Sequence, residues 1–303
     1  WLSEYYLCSP AEAMRLFIPG KTSIKRQAVY NDEGKLIAYD YENKLKIKTR
    51  ICFVVTKAGR EALVAYNKRL RAQMHALEVL AEAERPLSGE ELASVQVSAA
   101  ILRILCEKGW SERSEQRVLR NSYANRTELK ESLHLTDEQR QAVEAIGSAI
   151  TEPHQETFLL QGITGSGKTE VYLRAAAQAM EAGKQVLLLV PEIALTAQIV
   201  KRFQAWFGDE VAVAHSKLSQ NERADVWYKM RTNSAKLLIG VRSAVFAPFS
   251  DLGLIIIDEE HESSYKQDER PNYHARTVAL KRAQLSGIPV VLGSATPDLE
   301  SFY

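Results

Sequence analysis

One eight-residue segment constrains the fold of this chain more than any other. Residues 162–169 read Gly-Ile-Thr-Gly-Ser-Gly-Lys-Thr and fit the phosphate-binding pattern G-x-x-x-x-G-K-S/T. Its glycines lack the Cβ atoms that would keep backbone N–H groups away from a phosphate, and a helix that follows adds the positive end of its dipole. The apolar run 157–161 predicts a strand before the loop, and residues 170–180 predict a helix after it. We therefore expect an α/β domain whose loop binds a nucleotide through Gly162, Ile163, Thr164, Gly165, Ser166, Gly167, Lys168 and Thr169.

Two adjacent acids follow a second predicted strand. Residues 254–257 are a continuous apolar run, as expected of a strand buried on both faces of a parallel sheet. Asp258 and Glu259 would then lie at its carboxyl end, where open α/β sheets bind ligands. In a phosphate-loop ATPase, Thr169 and an acid at this place hold Mg²⁺, and the next acid orients and deprotonates the attacking water. This predicts that Asp258 binds metal and that Glu259 activates water. If the glycine-rich loop were absent, two acids at the end of a strand would more often belong to a solvated turn.

Length, charge and cysteine content limit the class of protein to which this chain can belong. The 303 residues suffice for about two domains, and the net charge of +1 gives no sign of a polyanionic partner. Residues 21–70, however, hold twelve Lys or Arg against five Asp or Glu. The three cysteines, Cys8, Cys52 and Cys106, form no C-x-x-C pair, so no disulfide framework or structural zinc site is predicted.

Targeting signals are not apparent in the sequence. No apolar stretch approaches the roughly 18 residues of a membrane span, and no signal peptide is visible. We expect a cytoplasmic, monomeric protein without membrane contact. Because the sequence does not begin with Met, we also expect it to be an internal piece of a longer protein.

The chain divides into three zones. Residues 1–54 are interpreted as the tail of an N-terminal DNA-binding region with its linker. Within them, residues 44–51 alternate basic with apolar or β-branched side chains, which predicts a strand whose cationic face either follows phosphates or is merely solvated. Residues 133–303 alternate apolar runs with helical segments, predicting a mostly parallel sheet covered by helices. The predicted strands are 157–161, 185–190, 211–215, 236–240, 253–257 and 289–293.

Residues 55–132 have the pattern of a small winged-helix domain followed by a linker. A helical segment is predicted at 60–84, and Ser88 and Glu91 fit a capping box that opens a second helix. A third helix at 98–108 would stop at Gly109, residues 110–120 would form a β wing, and 121–132 would be the linker. The third helix of such domains often enters the DNA major groove. Winged helices also dock proteins, so both roles stay open.

Motifs in residues 133–303 resemble those of a known helicase family. Residues 189–196, 240–248, 258–261 and 293–297 resemble successive motifs of the first motor lobe of superfamily 2 helicases. Residues 258–267, followed by Tyr-His-Ala-Arg at 273–276, are especially similar to the bacterial primosomal replication-restart helicases. The resemblance covers all of 133–303 with high specificity, is moderate for 55–132 and is weak before 55.

The resemblance implies a RecA-like lobe that uses ATP and Mg²⁺. The parent protein would be a 3′ to 5′ DNA helicase that recognises stalled or abandoned replication forks and restarts replication by assembling a primosome. Its implied partners are single-stranded and branched DNA, primosome proteins and single-strand-binding protein.

The resemblance also implies roles for individual residues. Lys168 would contact the β and γ phosphates, completing a catalytic set with Asp258, Glu259 and His261. His261, Ser294 and Thr296 would couple nucleotide state to DNA grip and to a second lobe. Two roles stay open: Gln139 either reads adenine or only completes a capping box with Thr136, and Arg242 either meets a DNA phosphate or forms a surface salt bridge.

Residues 262–276 correspond to an aromatic-rich loop that signals single-strand occupancy in the family. Only Tyr265 and Tyr273 are aromatic here, and Arg276 ends the segment. Base stacking contributes about 1–3 kcal/mol per ring, so two rings could suffice. The three residues would contact DNA or couple it to the ATPase. The alternative is that both tyrosines pack on the sheet.

Two parts of the family pattern are missing from this sequence. No second motor lobe with arginine fingers follows Tyr303, and no zinc-binding cysteine cluster is present, so zinc is expected only in a C-terminal part outside this sequence. The isolated lobe would bind ATP weakly, hydrolyse it slowly and unwind nothing. The alternatives are a different translocase of repair or restriction, which would share the motor motifs but lack the loop of residues 262–276, and a non-catalytic DNA-binding module. DNA-stimulated ATP hydrolysis discriminates these two.

Overall fold

The computed structural model describes residues 1–18, 24–30, 36–43, 48–65, 70–118, 134–152, 154–163 and 165–302. The chain forms two compact units, one of Trp1–Leu45 with Arg120–Tyr303 and one of Lys46–Leu119. The predicted linker 121–132, residues 44–47 of the predicted cationic strand, and Thr164 lie outside the described residues.

The larger unit begins with two helices and a hairpin: α1 Leu2–Tyr5, α2 Pro10–Phe17, β1 Ile24–Tyr30 and β2 Leu36–Asn43. Helix α2 starts at a capping box in which Ser9 and Glu12 bond each other's backbone N–H groups. Leu2, Tyr6 and Leu16 pack against the core of the six-stranded sheet of this unit, and the Phe17 ring lies 5.1 Å from that of Phe246. This N-terminal segment is therefore anchored to the larger unit by apolar contacts.

Within its described residues, the smaller unit has a three-stranded antiparallel sheet and four α-helices. Its elements are β3 Thr49–Val55, α3 Lys57–Val64, α4 Arg71–Glu82, β4 Leu87–Ser88, α5 Gly89–Ser94, α6 Ala99–Glu107 and β5 Ser111–Arg117. The predicted capping box at Ser88 is confirmed, and Gly109 ends α6 in the left-handed region, at φ +67°. The single helix predicted at 60–84 is wrong, because α3 and α4 are separate helices.

Strand pairing gives the smaller unit a different start from the predicted position 55. All seven residues of β3 pair with β5, and Cys52 and Phe53 also pair with β4. Met74, Leu77, Leu92 and Leu105 fill the core beneath this sheet. The strand therefore belongs to the smaller unit, whereas the sequence reading assigned it to the preceding zone.

The larger unit is built on a six-stranded parallel sheet in the order β6-β13-β10-β7-β9-β8. The parallel α/β sheet predicted from the sequence is confirmed, with each strand within one residue of its predicted bounds at either end. The remaining elements are α7 Asp137–Thr151, β6 Thr157–Gln161, α8 Lys168–Glu181, β7 Gln185–Leu189, α9 Ala197–Phe207, β8 Val211–Ala214, α10 Gln220–Arg231, β9 Leu237–Gly240, β10 Leu252–Ile257, β11 Lys266–Gln267, β12 Tyr273–His274, α11 Ala275–Ser286, β13 Val290–Ser294 and α12 Leu299–Phe302.

Continuous apolar runs form the central strands because both faces of the sheet are covered. Leu254 and Ile256 of β10 belong to one core cluster, and Ile255 and Ile257 belong to the cluster on the opposite face. Each such side chain contributes about 1.5–3 kcal/mol when fully buried. This packing fixes the sheet, and hence the loops at its carboxyl edge. Among the helices of the described ranges, none is both long enough and apolar enough to cross a membrane.

Candidate nucleotide-binding site

The glycine-rich loop joins the carboxyl end of β6 to the start of α8. Gly165 and Gly167 adopt φ of +84° and +87°, a region that favours glycine. Helix α8 begins directly after Gly167, which provides no side-chain cap, whereas Thr136, Thr196 and Ser219 cap the helices α7, α9 and α10. The first N–H groups of a helix lack intrahelical acceptors. The start of α8 therefore has the chemistry of an anion site.

Lys168 lies across the loop and reaches one of the predicted catalytic acids. Its Nζ donates a hydrogen bond to the Gly162 carbonyl oxygen at 2.6 Å and lies 3.7 Å from Glu259 Oε1. Only 9% of the lysine side chain is exposed. The structure thus brings the predicted phosphate-binding cation and the predicted water-activating acid together.

Asp258 is fixed at the carboxyl end of β10 by contacts on both backbone and side chain. Its N–H donates to the Leu189 carbonyl at 2.9 Å, and its Oδ1 accepts the Tyr172 hydroxyl at 2.9 Å. Burial raises the pKa of Asp258, although the hydrogen bond from Tyr172 opposes that rise. Thr169 is three residues before Tyr172 on α8, so the two lie on the same helix face. Through Tyr172, that face contacts Asp258.

Glu259 and His261 connect the acidic segment to the turn after β13. Glu259 adopts φ +45°, a left-handed conformation that is uncommon for a non-glycine residue. Its Oε2 lies 3.8 Å from His261 Nδ1, which is hydrogen-bonded to Ser294 Oγ at 2.7 Å. The Thr296 N–H donates to the same Ser294 oxygen at 3.1 Å. The predicted coupling residues therefore form one continuous polar chain from Glu259.

Gln139 has both a capping contact and a contact with the loop. Its Oε1 accepts the Thr136 N–H at 3.0 Å, which confirms the capping box. Its Nε2 donates to the Ser166 carbonyl at 2.9 Å. The side chain is thus placed against the phosphate loop, and its contact with adenine stays a prediction.

The two loop tyrosines are buried, so neither ring is open to a DNA base in this structure, and their stacking on bases stays a prediction. Tyr265 is 0% exposed and Tyr273 is 2% exposed. The Tyr265 hydroxyl donates to the Asp258 carbonyl oxygen at 2.7 Å, and the Tyr273 ring packs edge-on against Phe246. Their rings lie in the core beside the sheet, as the alternative reading predicted. The loop nevertheless touches Asp258 directly, so coupling through Tyr265 stays a prediction.

The side chain of Arg242 binds the backbone of the loop formed by residues 262–276. The guanidinium donates to the carbonyl oxygens of Ser264 and Lys266, which flank Tyr265. These acceptors replace the carboxylate expected in a surface salt bridge. Contact with a DNA phosphate stays a prediction.

Arg276 is buried, and its guanidinium is bonded to acidic and hydroxyl side chains of its own unit. It is 8% exposed, and its Nη1 donates to Glu260 Oε2, to Asp298 Oδ2 at 2.9 Å and to Ser301 Oγ at 2.8 Å. Glu260 is 0% exposed and also accepts the Asp298 N–H at 3.1 Å. Arg276 therefore ties α11 to the acidic segment and to the turn after β13, and its coupling role stays a prediction.

Two residues with direct contacts in this site were not singled out from the sequence. Tyr172 follows Lys168 by four residues, a spacing that places both on one helix face and that could have indicated its proximity. Glu260 carries no such signal, because its partners Arg276, Asp298 and Ser301 are distant in sequence.

The donor set fits a magnesium ion held together with phosphates. Mg²⁺ prefers oxygen ligands and is commonly bound by one or two carboxylates plus substrate phosphates. Thr169 and Asp258 supply a hydroxyl and a carboxylate at the loop. Within the described ranges, no cluster of three or more His, Cys, Asp or Glu could hold a metal by itself.

Comparisons with known proteins agree with these observations. The family described as DEAD/DEAH box helicase matches residues 136–302. "Replication restart protein PriA" of Bacillus subtilis is 41% identical over 311 residues, covering 97% of this chain and 39% of the relative. The proteins of that name from Haemophilus influenzae and Synechocystis are 37% and 46% identical over 99% and 70% of this chain. This chain covers 39% of the Haemophilus relative and 25% of the Synechocystis relative, so it spans well under half of their lengths.

Proposed function

We propose that this chain, which belongs to the DEAD/DEAH box helicase family, is the RecA-like first motor lobe, with a neighbouring small domain, of an ATP-driven DNA helicase that restarts replication. One observation carries the proposal: Lys168, Glu259, His261 and Ser294 form a continuous polar chain from the phosphate loop to the turn after β13. Such a chain links the site of hydrolysis to the residues through which motion would be transmitted. The high similarity to replication restart proteins supports the same conclusion.

The site would bind ATP with Mg²⁺. Loop N–H groups and Lys168 would hold the phosphates, and Thr169 and Asp258 would hold the metal, which supplies charge neutralisation on the phosphates when bound. Glu259 would orient a water and accept its proton. Lys168 and His261 flank its two oxygens at 3.7 and 3.8 Å and hold the carboxylate beside the phosphate loop.

Gln139 would select adenine. The amide already lies against the loop through Ser166, so a base bound beside the phosphates would be within reach of the same side chain. Competition of ATP and GTP with a fluorescent ATP analogue checks this contact. Equal affinities of the chain for ATP and GTP would contradict it.

Arg242 and Tyr265 would connect DNA to the nucleotide. Arg242 donates to the carbonyls on either side of Tyr265, and Tyr265 donates to Asp258. A DNA phosphate at Arg242 would compete with those carbonyls and thereby alter how the loop holds Asp258. Arg276, through Glu260, would transmit the change to the segment after β13.

The smaller unit would contact branched DNA as a winged-helix domain. One observation favours protein docking instead: Arg103, exposed on α6, is already paired with Glu107 at 3.1 Å, which reduces the free positive charge of that helix. Primosome proteins and single-strand-binding protein are the docking partners that the family suggests. Anisotropy of a labelled fork at low salt distinguishes the two roles, since a docking domain would leave it unchanged.

Duplex unwinding tests the proposal. The longer protein that carries this chain is expected to separate a duplex with a 3′ single-stranded tail when ATP is present, and to act poorly on the same duplex with a 5′ tail. Strand separation that does not require ATP, or no separation of either substrate, would contradict the helicase assignment.

A further inference from the structure

A tyrosine on the helix after the phosphate loop contacts the predicted metal ligand. Tyr172 of α8 is 1% exposed, and its hydroxyl donates to Asp258 Oδ1 at 2.9 Å. Lys168, which begins the same helix, lies four residues earlier. One helix therefore presents both the predicted phosphate cation and a hydrogen bond to the predicted metal-binding carboxylate.

A neighbouring strand leaves room for this hydroxyl. A Cβ atom built on Gly293 of β13 would lie 1.6 Å from the Tyr172 hydroxyl oxygen and 2.8 Å from the ring carbon that bears it. Real atoms do not approach so closely, so any larger residue at 293 would displace the tyrosine. Gly293 is also bonded to the acidic segment, because its carbonyl accepts the Glu260 N–H at 3.0 Å. Placing the hydroxyl at Asp258 thus depends on glycine at this position.

The hydrogen bond determines which way the carboxylate faces. The terminal torsion of an aspartate is broad, so rotamer preference alone does not fix the plane of its two oxygens. The backbone of Asp258 is held by Leu189 and by the Tyr265 hydroxyl. Tyr172 adds a restraint on Oδ1 and thereby limits rotation of the carboxylate plane.

We propose that Tyr172 is a positioning residue that orients the Asp258 carboxylate for Mg²⁺, and that Gly293 is required to admit its hydroxyl. The inference rests on the proposed function, since it takes Asp258 as the ligand of a metal bound with nucleotide. Partners that orient metal ligands typically change metal affinity by about 10- to 100-fold when removed. This role differs from a purely structural one because it predicts that nucleotide affinity is lost only when Mg²⁺ is present.

The test compares nucleotide binding with and without metal in the 303-residue chain. The Kd of a fluorescent ATP analogue is measured in EDTA and in saturating Mg²⁺, and the ratio of the two gives the gain from metal. Tyr172→Phe is expected to reduce this gain about tenfold or more. It should leave the Kd in EDTA unchanged, because Lys168 and the loop N–H groups remain.

Tyr6→Phe is the matched control. It removes another tyrosine hydroxyl, one bonded to the backbone of His274 rather than to the phosphate loop or to Asp258. Its gain from metal should equal that of the wild type. Gly293→Ala displaces the Tyr172 hydroxyl from the opposite side and should reproduce the loss of gain, so the inference does not depend on one variant. Melting temperatures of all four proteins report any general loss of structure.

The outcomes separate this inference from the proposed function. If the wild-type chain binds no analogue, the proposed function and this inference are both overturned. If the wild type gains affinity from Mg²⁺ and Tyr172→Phe gains as much, only the positioning role is overturned. A lowered melting temperature with an unchanged gain has the same meaning, since it makes the hydroxyl purely structural.

Discussion

Replacing Lys168 with alanine is expected to abolish DNA-stimulated ATP hydrolysis in the longer protein while sparing its binding to DNA. Lys168 is largely buried and lies between the loop carbonyl of Gly162 and the carboxylate of Glu259. Removing a preorganised donor of this kind costs about 10²- to 10³-fold in rate. Loss of the ammonium also leaves Glu259 without its nearest cation. The steady-state rate of phosphate release with single-stranded DNA present measures the effect.

Lys184→Ala is the control for the loss of a lysine. Lys184 precedes β7, at the amino end of the sheet, and forms a more exposed ion pair with Asp251 at 2.9 Å. Its removal deletes one charge and one ion pair from the same unit but should leave hydrolysis unchanged. Equal loss in both variants, or full hydrolysis by Lys168→Ala, would contradict the assignment of Lys168.

Replacing Glu260 with alanine is expected to lower the free energy of unfolding by about 3 kcal/mol or more. Removing one partner of a buried ion pair leaves an uncompensated charge, at a cost of about 3–5 kcal/mol. Here the charge that loses Glu260 is the guanidinium of Arg276, which also pairs with Asp298, a residue whose side chain is 46% exposed. Urea unfolding of the 303-residue chain measures the change.

Two variants make the Glu260 prediction specific. Asp298→Ala removes the exposed partner of the same arginine and should cost less than about 1 kcal/mol. Glu260→Ala combined with Arg276→Leu removes both buried charges and should recover most of the stability, because a well-packed apolar pair can replace a buried ion pair. A Glu260→Ala protein as stable as the wild type would show that this pair does not hold the segment together.

The same ion pair makes stability depend on pH. Burial raises the pKa of Glu260, but the hydrogen bonds from Arg276, from the Ser301 hydroxyl and from the Asp298 N–H outweigh it and hold the pKa below its usual value of 4.5. Since the folded-state pKa is the lower one, this contribution is fully present above the unfolded pKa. It is lost as the pH falls through the folded pKa.

The parallel sheet could be predicted because its signals are local. Each central strand contains three or four consecutive apolar residues, and the glycine-rich loop must follow a strand and open a helix. The break between α3 and α4 has no such signal, since residues 65–70 contain neither glycine nor proline. The start of the smaller unit also could not be predicted from local sequence, because β3 is defined by its pairing with β5, about sixty residues later.

The position of a site residue could be predicted where a sequence motif specifies that residue. It could not be predicted where burial of the side chain determines the position. Lys168, Asp258 and Glu259 follow from residue type and spacing. Tyr265 and Tyr273 lie in a segment rich in charged residues that carries no local signal of burial, yet both are buried beside the sheet. The contact of Tyr172 with Asp258 depends on Gly293, which is 121 positions further along the chain.

The rate of ATP hydrolysis with and without single-stranded DNA tests the central claim most directly. The longer protein that carries this chain is predicted to hydrolyse ATP faster when single-stranded DNA is added, because the loop at Tyr265 and Arg242 would report DNA to Asp258. Equal rates with and without DNA would contradict the assignment of this chain to a DNA-driven motor.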